Sequence, residues 1–112
     1  ANEERLEEMK YRYTQHSRVI KYVYRGLYLE AFTYYQRYVL EPLVYLLRMI
    51  YTPAYTDYWY LHITQHIPKD MSKKLEFFAQ TSSLEDIMTK TKEAECWFDE
   101  LIGLKNEKES HN

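Results

Sequence analysis

Apolar residues recur along the chain at steps of three and four, the spacing that places side chains on one side of an α-helix. The first run comprises Leu6, Met9, Tyr13, His16, Ile20, Val23 and Leu27. Gly26 is expected to end this helix, because glycine readily adopts the left-handed conformation of a helix C-terminus. The second run comprises Leu29, Phe32, Gln36, Val39, Leu43, Leu46 and Ile50. Pro42 lies within this run and lacks a backbone donor, which predicts a kink or a local break.

The middle of the chain has a looser pattern. Thr52-Pro53 and Ile67-Pro68 mark two connections, and the stretch from Tyr55 to His66 between them has room for a short helix. A further short helix is predicted from Lys69 to Ala79, with three residues facing inward: Met71, Leu75 and Phe78.

The last long helix is predicted to begin at a capping box, Ser82-Ser83-Leu84-Glu85, and to stop at Gly103. Its expected inward residues are Leu84, Ile87, Thr91, Ala94, Phe98 and Leu101. Three long helices with one or two short ones and short connections predict an all-α antiparallel helical bundle. Residues 1–112 are expected to form one domain, with 104–112 as a frayed tail.

Composition narrows the class of protein. The chain has 112 residues, is 46% hydrophobic and holds only 2 Gly and 3 Pro, which excludes a disordered or turn-rich β protein. The net charge of −2 gives no global electrostatic reason to expect a nucleic acid or membrane partner. Cys96 is the single cysteine, so we expect a buried thiol and a cytoplasmic protein. The chain starts without Met inside an acidic stretch, which suggests a C-terminal piece of a longer protein.

Tyrosine is the unusual feature, with 13 residues in the chain. At about 100° per residue, one stripe of the second helix, opposite its core side, carries Tyr34, Tyr38, Tyr45, Glu30 and Glu41. In the first helix Tyr11, Tyr22 and Arg18 also point away from the core. Exposed tyrosines aligned on one helix favour a binding surface for substrate or another domain. The alternative is an ordinary amphipathic surface, with the rings covered by Arg37, Arg48 and Lys21.

Catalytic patterns are weak in this sequence. His62 and His66 are four residues apart, as in a helical metal site, but a third ligand is not evident and structural histidines are favoured. Glu30 and Glu41 are about 16 Å apart along a helix, too far for a paired-carboxylate site. The stretch from Arg12 to His16 is one residue shorter than the R-x(4–6)-H motif of helical ribonuclease toxins allows. We therefore assign neither catalytic residues nor metal ligands.

The segment Arg25-Gly26-Leu27-Tyr28-Leu29-Glu30-Ala31 resembles the R-G-x-Y-x-x-A segment of helical C-terminal domains in bacterial nucleotidyltransferases. Those domains belong to the antibiotic (aminoglycoside or lincosamide) nucleotidyltransferase-like group. Leu43-x-x-Leu46-Leu47, Tyr51-x-Pro53 and the stretch from Leu61 to Pro68 follow in similar order. The similarity spans approximately Val19 to Leu101.

This resemblance implies a helical module that packs on an N-terminal catalytic palm domain of the same protein and helps form the acceptor-substrate cleft. The Gly-Ser and Asp-x-Asp motifs of such a palm, which bind magnesium and the nucleoside triphosphate, are absent from the sequence, so the chain alone is not expected to be catalytic. Tyr34, Tyr38, Tyr45, Glu30 and Glu41 would contact the palm or the acceptor. One alternative is a stand-alone interaction protein that homodimerises through the tyrosines. Another is a small enzyme with a histidine metal site or ribonuclease activity.

Overall fold

The computed structural model describes residues 2–110, and the regular structure of these residues is entirely helical. The α-helices are α1 Asn2–Thr14, α2 Ser17–Tyr24, α3 Tyr28–Tyr35, α4 Glu41–Tyr51, α5 Ile63–His66, α6 Lys69–Ala79 and α7 Leu84–Ser110. A π-helical segment, Gln36–Leu40, joins α3 to α4, and a 3₁₀ helix, Pro53–Tyr58, follows α4. The predicted all-α class is confirmed. Within the described range, every helix is too short or too polar to traverse a bilayer.

Helix α4 lies at the centre of the bundle, and every residue from 42 to 48 is buried. Helix α1 runs antiparallel to it. At the start of α1, the Asn2 carbonyl accepts a hydrogen bond from the Tyr45 hydroxyl at 3.2 Å, and near its end Arg12 donates to Glu41 at 2.8 Å. Burial of apolar side chains around α4 is the main stabilising contribution to such a bundle.

The first predicted helix is interrupted between α1 and α2. The Thr14 hydroxyl donates to the Tyr11 carbonyl at 2.5 Å, and the Nδ1 of His16 lies 2.7 Å from the Tyr13 carbonyl oxygen. Side-chain bonds of this kind compete with the helical ladder. The interruption shifts the inward position in α2 from the predicted Ile20, which is half-buried, to Val19, which is fully buried. A single continuous helix over this stretch was therefore a wrong prediction.

Gly26 ends α2 as predicted, with φ of +72° in the left-handed region. The Leu27 N–H donates to the Tyr22 carbonyl at 3.1 Å and the Gly26 N–H donates to the Val23 carbonyl at 3.0 Å. These two bonds define a Schellman motif, which satisfies carbonyls at the helix end.

The second predicted helix is continuous through Pro42, but the π-helical segment changes its phase. The Glu41 N–H donates to the Gln36 carbonyl, five residues back rather than four. The one extra residue in this turn rotates the side chains beyond the segment by about 100° relative to those of an uninterrupted α-helix. The buried residues before the segment are therefore Ala31 and Tyr35, each one position earlier than the predicted Phe32 and Gln36. Within the segment the predicted Val39 is buried, and beyond it the predicted Leu43, Leu46 and Ile50 are buried.

The stretch predicted as a short helix from Tyr55 to His66 is split into the end of the 3₁₀ helix, a turn and α5. Two residues of this stretch, Trp59 and His62, have positive φ values of 52° and 61°. Left-handed backbone at a non-glycine residue is uncommon and needs support from its surroundings. Helix α6 has the predicted bounds, and Leu75 and Phe78 are buried.

Helix α7 differs from its prediction at both ends. The capping residue is Ser83, whose Oγ accepts from the Asp86 N–H at 3.0 Å, so the box lies one residue later than predicted. The helix passes through Gly103 without stopping and continues to Ser110. Residues 104–110, predicted as a frayed tail, are regular helix, in which Lys105 is buried and 106–110 are exposed. Residues 111 and 112 lie outside the described residues.

Candidate functional site

Three tyrosines from consecutive elements form one aromatic cluster on the outside of the bundle. Tyr22 of α2 and Tyr34 of α3 meet edge to face with ring centroids 4.9 Å apart, and Tyr34 meets Tyr38 of the π-helical segment in the same manner at 5.4 Å. All three rings are partly exposed. Edge-to-face contacts set the orientation of the rings relative to one another, because the positive edge of one ring meets the negative face of the next.

Four cations surround this cluster. The guanidinium carbons of Arg18 and Arg37 each lie 5.9 Å from the centroid of Tyr38. Lys21 Nζ lies 5.4 Å, and the guanidinium carbon of Arg25 5.7 Å, from the centroid of Tyr22. Such distances allow cation–π attraction. We name this surface the tyrosine–cation face; its members are Tyr22, Tyr34, Tyr38, Arg18, Lys21, Arg25 and Arg37.

The charge of the tyrosine–cation face is not balanced by its surroundings. None of its four cations forms an ion pair with an acidic side chain of residues 2–110. The sequence from residue 10 to residue 40 holds six Lys and Arg residues and a single acid, Glu30, although the whole chain has a net charge of −2. This stretch therefore carries an excess of positive charge on a protein that is acidic as a whole, although Glu8 and Glu41 at its borders pair with Arg12.

Two shallow depressions lie beside the rings and share Thr33. The first, of about 300 Å³, is lined by Leu29, Glu30, Thr33 and Tyr34. The second, of about 270 Å³, is lined by Arg12, Thr33, Gln36, Arg37 and Glu41. We refer to the two adjoining depressions as the cleft; its lining residues come from α3, the π-helical segment, the end of α1 and the first residue of α4.

Four of the five predicted site residues lie on this side of the molecule. Glu30 and Tyr34 line the first depression, Glu41 lines the second, and Tyr38 belongs to the tyrosine–cation face. Tyr45 was predicted on the same stripe, but its side chain is completely buried and its ring contacts Trp59. The prediction for Tyr45 was wrong because α4 is buried on all sides, so the side opposite its predicted core positions is covered as well.

Sequence reasoning named Lys21 and Arg37 as cations that cover the tyrosine rings, and the structure places both against rings, but it did not name Arg12, Arg18 or Arg25 for this role. Arg12 and Arg37 line the second depression, and Arg18 and Arg25 lie against the rings. The signal was present in the sequence, since residues 10–40 hold six bases and a single acid. The net charge of the whole chain concealed this local excess.

Arg48 has a role quite different from the one proposed for it from sequence. It was expected to cover exposed tyrosines, but its side chain is completely buried in α4. Its guanidinium donates to the Trp59 carbonyl at 2.8 and 3.0 Å, to the Leu61 carbonyl at 2.7 Å and to Thr52 Oγ1 at 3.1 Å. Burial lowers the pKa of this guanidinium. We name Arg48 and its acceptors the arginine node.

His66 completes the arginine node, because its Nδ1 lies 2.7 Å from a guanidinium nitrogen of Arg48. The guanidinium has only donors, so Nδ1 must be the acceptor and the ring must be neutral. Desolvation, together with the charges of Arg48 and His62, lowers the pKa of His66. The rings of His62 and His66 are 6.0 Å apart, and no group of three metal-ligating side chains occurs within residues 2–110.

The remaining candidates for chemistry have structural partners. His16 lies against the Tyr13 carbonyl and stacks on the Tyr13 ring at 4.9 Å, while Arg12 points to Glu41. Cys96 is exposed, and not buried as the sequence suggested. The tyrosine–cation face and the cleft beside it present positive charge and aromatic rings, and such a surface is suited to binding.

Comparison of the chain with family models, curated proteins and solved structures gave no match.

Proposed function

We propose that this chain is a helical binding module that docks through the tyrosine–cation face onto an acidic surface of a partner domain. The observation that carries this proposal is a set of four cations placed against three tyrosines, without an acidic side chain of residues 2–110 to neutralise them. A partner that supplies carboxylates would complete these charges.

The residue types support docking more than simple solvation. Tyrosine and arginine are enriched at the centres of protein interfaces, because each offers a large contact area together with hydrogen-bond donors. The rings of Tyr22, Tyr34 and Tyr38 are held by mutual edge-to-face contacts, so little side-chain freedom would be lost on binding.

The partner that the sequence resemblance implies is the catalytic palm domain of a nucleotidyltransferase. In this proposal the palm supplies magnesium, the nucleoside triphosphate and the catalytic residues. The helical module supplies the wall of the acceptor cleft through Glu30, Tyr34, Tyr38 and Glu41. In this proposal the chain by itself binds but does not catalyse. The complete protein would be an enzyme of the reducing cytoplasm.

The alternative is a stand-alone module that homodimerises through the same tyrosines. A two-fold interface brings each surface patch against its own copy. Arg18, Lys21, Arg25 and Arg37 would then face the same four cations across the interface, which is electrostatically unfavourable. The charge of the face therefore favours a different, acidic partner over a second copy.

Amide hydrogen exchange on the complete product of the gene that encodes this chain tests the proposal. We expect α2 and α3 to exchange more slowly there than in the isolated 112-residue chain, while the exposed parts of α6 exchange equally in both. Equal exchange of α2 and α3 in the two proteins would contradict docking. Light scattering on the isolated chain tests the alternative, since a dimer that is dissociated by Y34A/Y38A would support homodimerisation instead.

A further inference from the structure

We propose that the second depression of the cleft is an oxyanion site, and that its ligand is a phosphate monoester of a planar, aromatic group. This inference rests on the proposed binding function and specifies the chemistry of its cleft. The depression is lined by Arg12, Thr33, Gln36, Arg37 and Glu41, so four of its five residues carry hydrogen-bond donors.

Arg37 is the cation of this depression that can take an anion. Arg12 donates to Glu41 at 2.8 Å and also lies 3.4 Å from a carboxylate oxygen of Glu8, so its charge is matched by these two acids. Arg37 is four residues before Glu41, but it forms no ion pair with any acidic side chain of residues 2–110. Its guanidinium therefore remains without an ion-pair partner in a depression that also holds a hydroxyl and an amide. Guanidinium, hydroxyl and amide groups are all suitable donors to a tetrahedral oxyanion.

The neighbouring depression indicates what the oxyanion is attached to. It shares Thr33 with the oxyanion site and is lined further by Leu29, Glu30 and Tyr34. Tyr34 and Leu29 offer apolar contact to a flat ring, and the Glu30 carboxylate can accept from a donor on that ring. A ligand that fills both depressions combines a phosphate with an aromatic group.

The two carboxylates limit the size of the anion. Glu30 lies in the first depression and Glu41 in the second, so additional phosphates on either side of the site would approach a like charge. A single phosphate fits this distribution better than the continuous charge of a nucleic acid strand, which requires an unbroken basic track.

Phenyl phosphate is the probe that tests this inference, with binding measured by calorimetry and by amide chemical shifts on the isolated chain. We expect shifts centred on residues 29–38. Inorganic phosphate should bind more weakly, because it lacks the ring. Affinity should also increase as the pH rises through about 6, where a phosphate monoester acquires its second charge.

The substitution R37Q should weaken phenyl phosphate binding by about tenfold, since it removes a charge-assisted hydrogen bond to the oxyanion. The matched control is R5Q, because Arg5 is also an exposed arginine but pairs with Asp57 at 2.8 Å, far from the cleft in sequence. R5Q should bind as the parent does. Absence of shifts in residues 29–38 at millimolar probe, or equal binding by R37Q and the parent, would overturn the oxyanion site.

These outcomes are separable from those of the hydrogen-exchange experiment. Protection of α2 and α3 in the complete gene product without phenyl phosphate binding would retain the docking surface and eliminate the oxyanion site. Phenyl phosphate binding without protection would retain the site and eliminate the docking proposal.

Discussion

The arginine node and the tyrosine–cation face use the same side chain in opposite ways. Arg48 is completely buried, and its donors bind two carbonyls, a hydroxyl and an imidazole. Arg37 is exposed, lies against the ring of Tyr38 and borders a depression. A buried cation is tolerated only where its donors are satisfied. An exposed cation whose donors have no acceptor in the chain can offer those donors to a ligand.

The arginine node and the tyrosine–cation face therefore have different roles. The acceptors of Arg48 belong to the stretch that holds Trp59 and His62, the two residues of residues 2–110 other than glycine that have positive φ. The arginine node therefore supports an unfavourable backbone and serves the fold. The four cations of the tyrosine–cation face donate to no backbone carbonyl of residues 2–110, so their donors are available for binding.

Replacement of Arg48 should give the largest loss of stability. In R48M the carbonyls of Trp59 and Leu61 lose their donors in a buried place, and each such loss costs about 1–3 kcal/mol. We expect the free energy of unfolding to fall by roughly 3–5 kcal/mol in urea titrations. The control R37M removes the same group from the surface and should change it by less than about 0.5 kcal/mol. Equal losses in the two variants would contradict the comparison.

A smaller loss is expected for a buried tyrosine than for the arginine node. Tyr35 is completely buried, its hydroxyl donates to the Phe78 carbonyl at 2.6 Å, and burial raises its pKa well above the ordinary value. Y35F leaves that carbonyl without a donor and should lower the free energy of unfolding, measured by thermal denaturation, by about 1–2 kcal/mol. Y34F, on the tyrosine–cation face, should leave it unchanged. Similar behaviour of the two variants would remove the distinction between core and face tyrosines.

The arginine node should also make stability depend on pH. The pKa of His66 is lower in the folded chain than its unfolded value near 6.5, so the unfolded chain binds more protons between the two values. The contribution of His66 is complete above about pH 6.5 and is lost as the pH falls towards its folded pKa. Urea midpoints measured at several pH values from 8 to 5 should therefore decrease on acidification.

The matched variants separate His66 from its neighbour. H66Q should reduce this pH dependence, because an amide oxygen can still accept from Arg48 but does not titrate. H62Q should retain it, since His62 is not an acceptor of Arg48. Parent-like pH dependence in H66Q would show that another group is responsible.

Sequence pattern predicted the helices well wherever they keep a regular repeat. Helix α6 and the buried side of α7 follow from apolar spacing alone, as does the termination of α2 at Gly26. The π-helical segment was not predicted, because one inserted residue does not change the composition of the sequence in a recognisable way. A pattern fixed on the strongly apolar Leu43 and Leu46 was therefore carried backwards out of phase, to Phe32 and Gln36. Tyr45 was placed outside for a different reason, because the pattern assumed one exposed side of a helix that is buried all round.

The arginine node could not be predicted either. An arginine within an apolar helix is ordinarily exposed, because burying its charge is costly. Its burial here depends on carbonyls of the turn after the 3₁₀ helix, and their position is a tertiary property. Tyr34 and Tyr38 were predicted opposite the core and are instead half-buried, with Tyr34 packed against the core, because the shift of one position moves their stripe towards it.

The most direct test of the central claim, that the tyrosine–cation face serves binding and not folding, is the free energy of unfolding of R18Q/R25Q/R37Q, measured in urea at pH 7.5. We predict that it lies within about 1 kcal/mol of the parent, because exposed cations on rings contribute little to stability. A loss of about 3 kcal/mol or more, comparable with that expected for R48M, would show that the face is part of the folding core and would contradict the account.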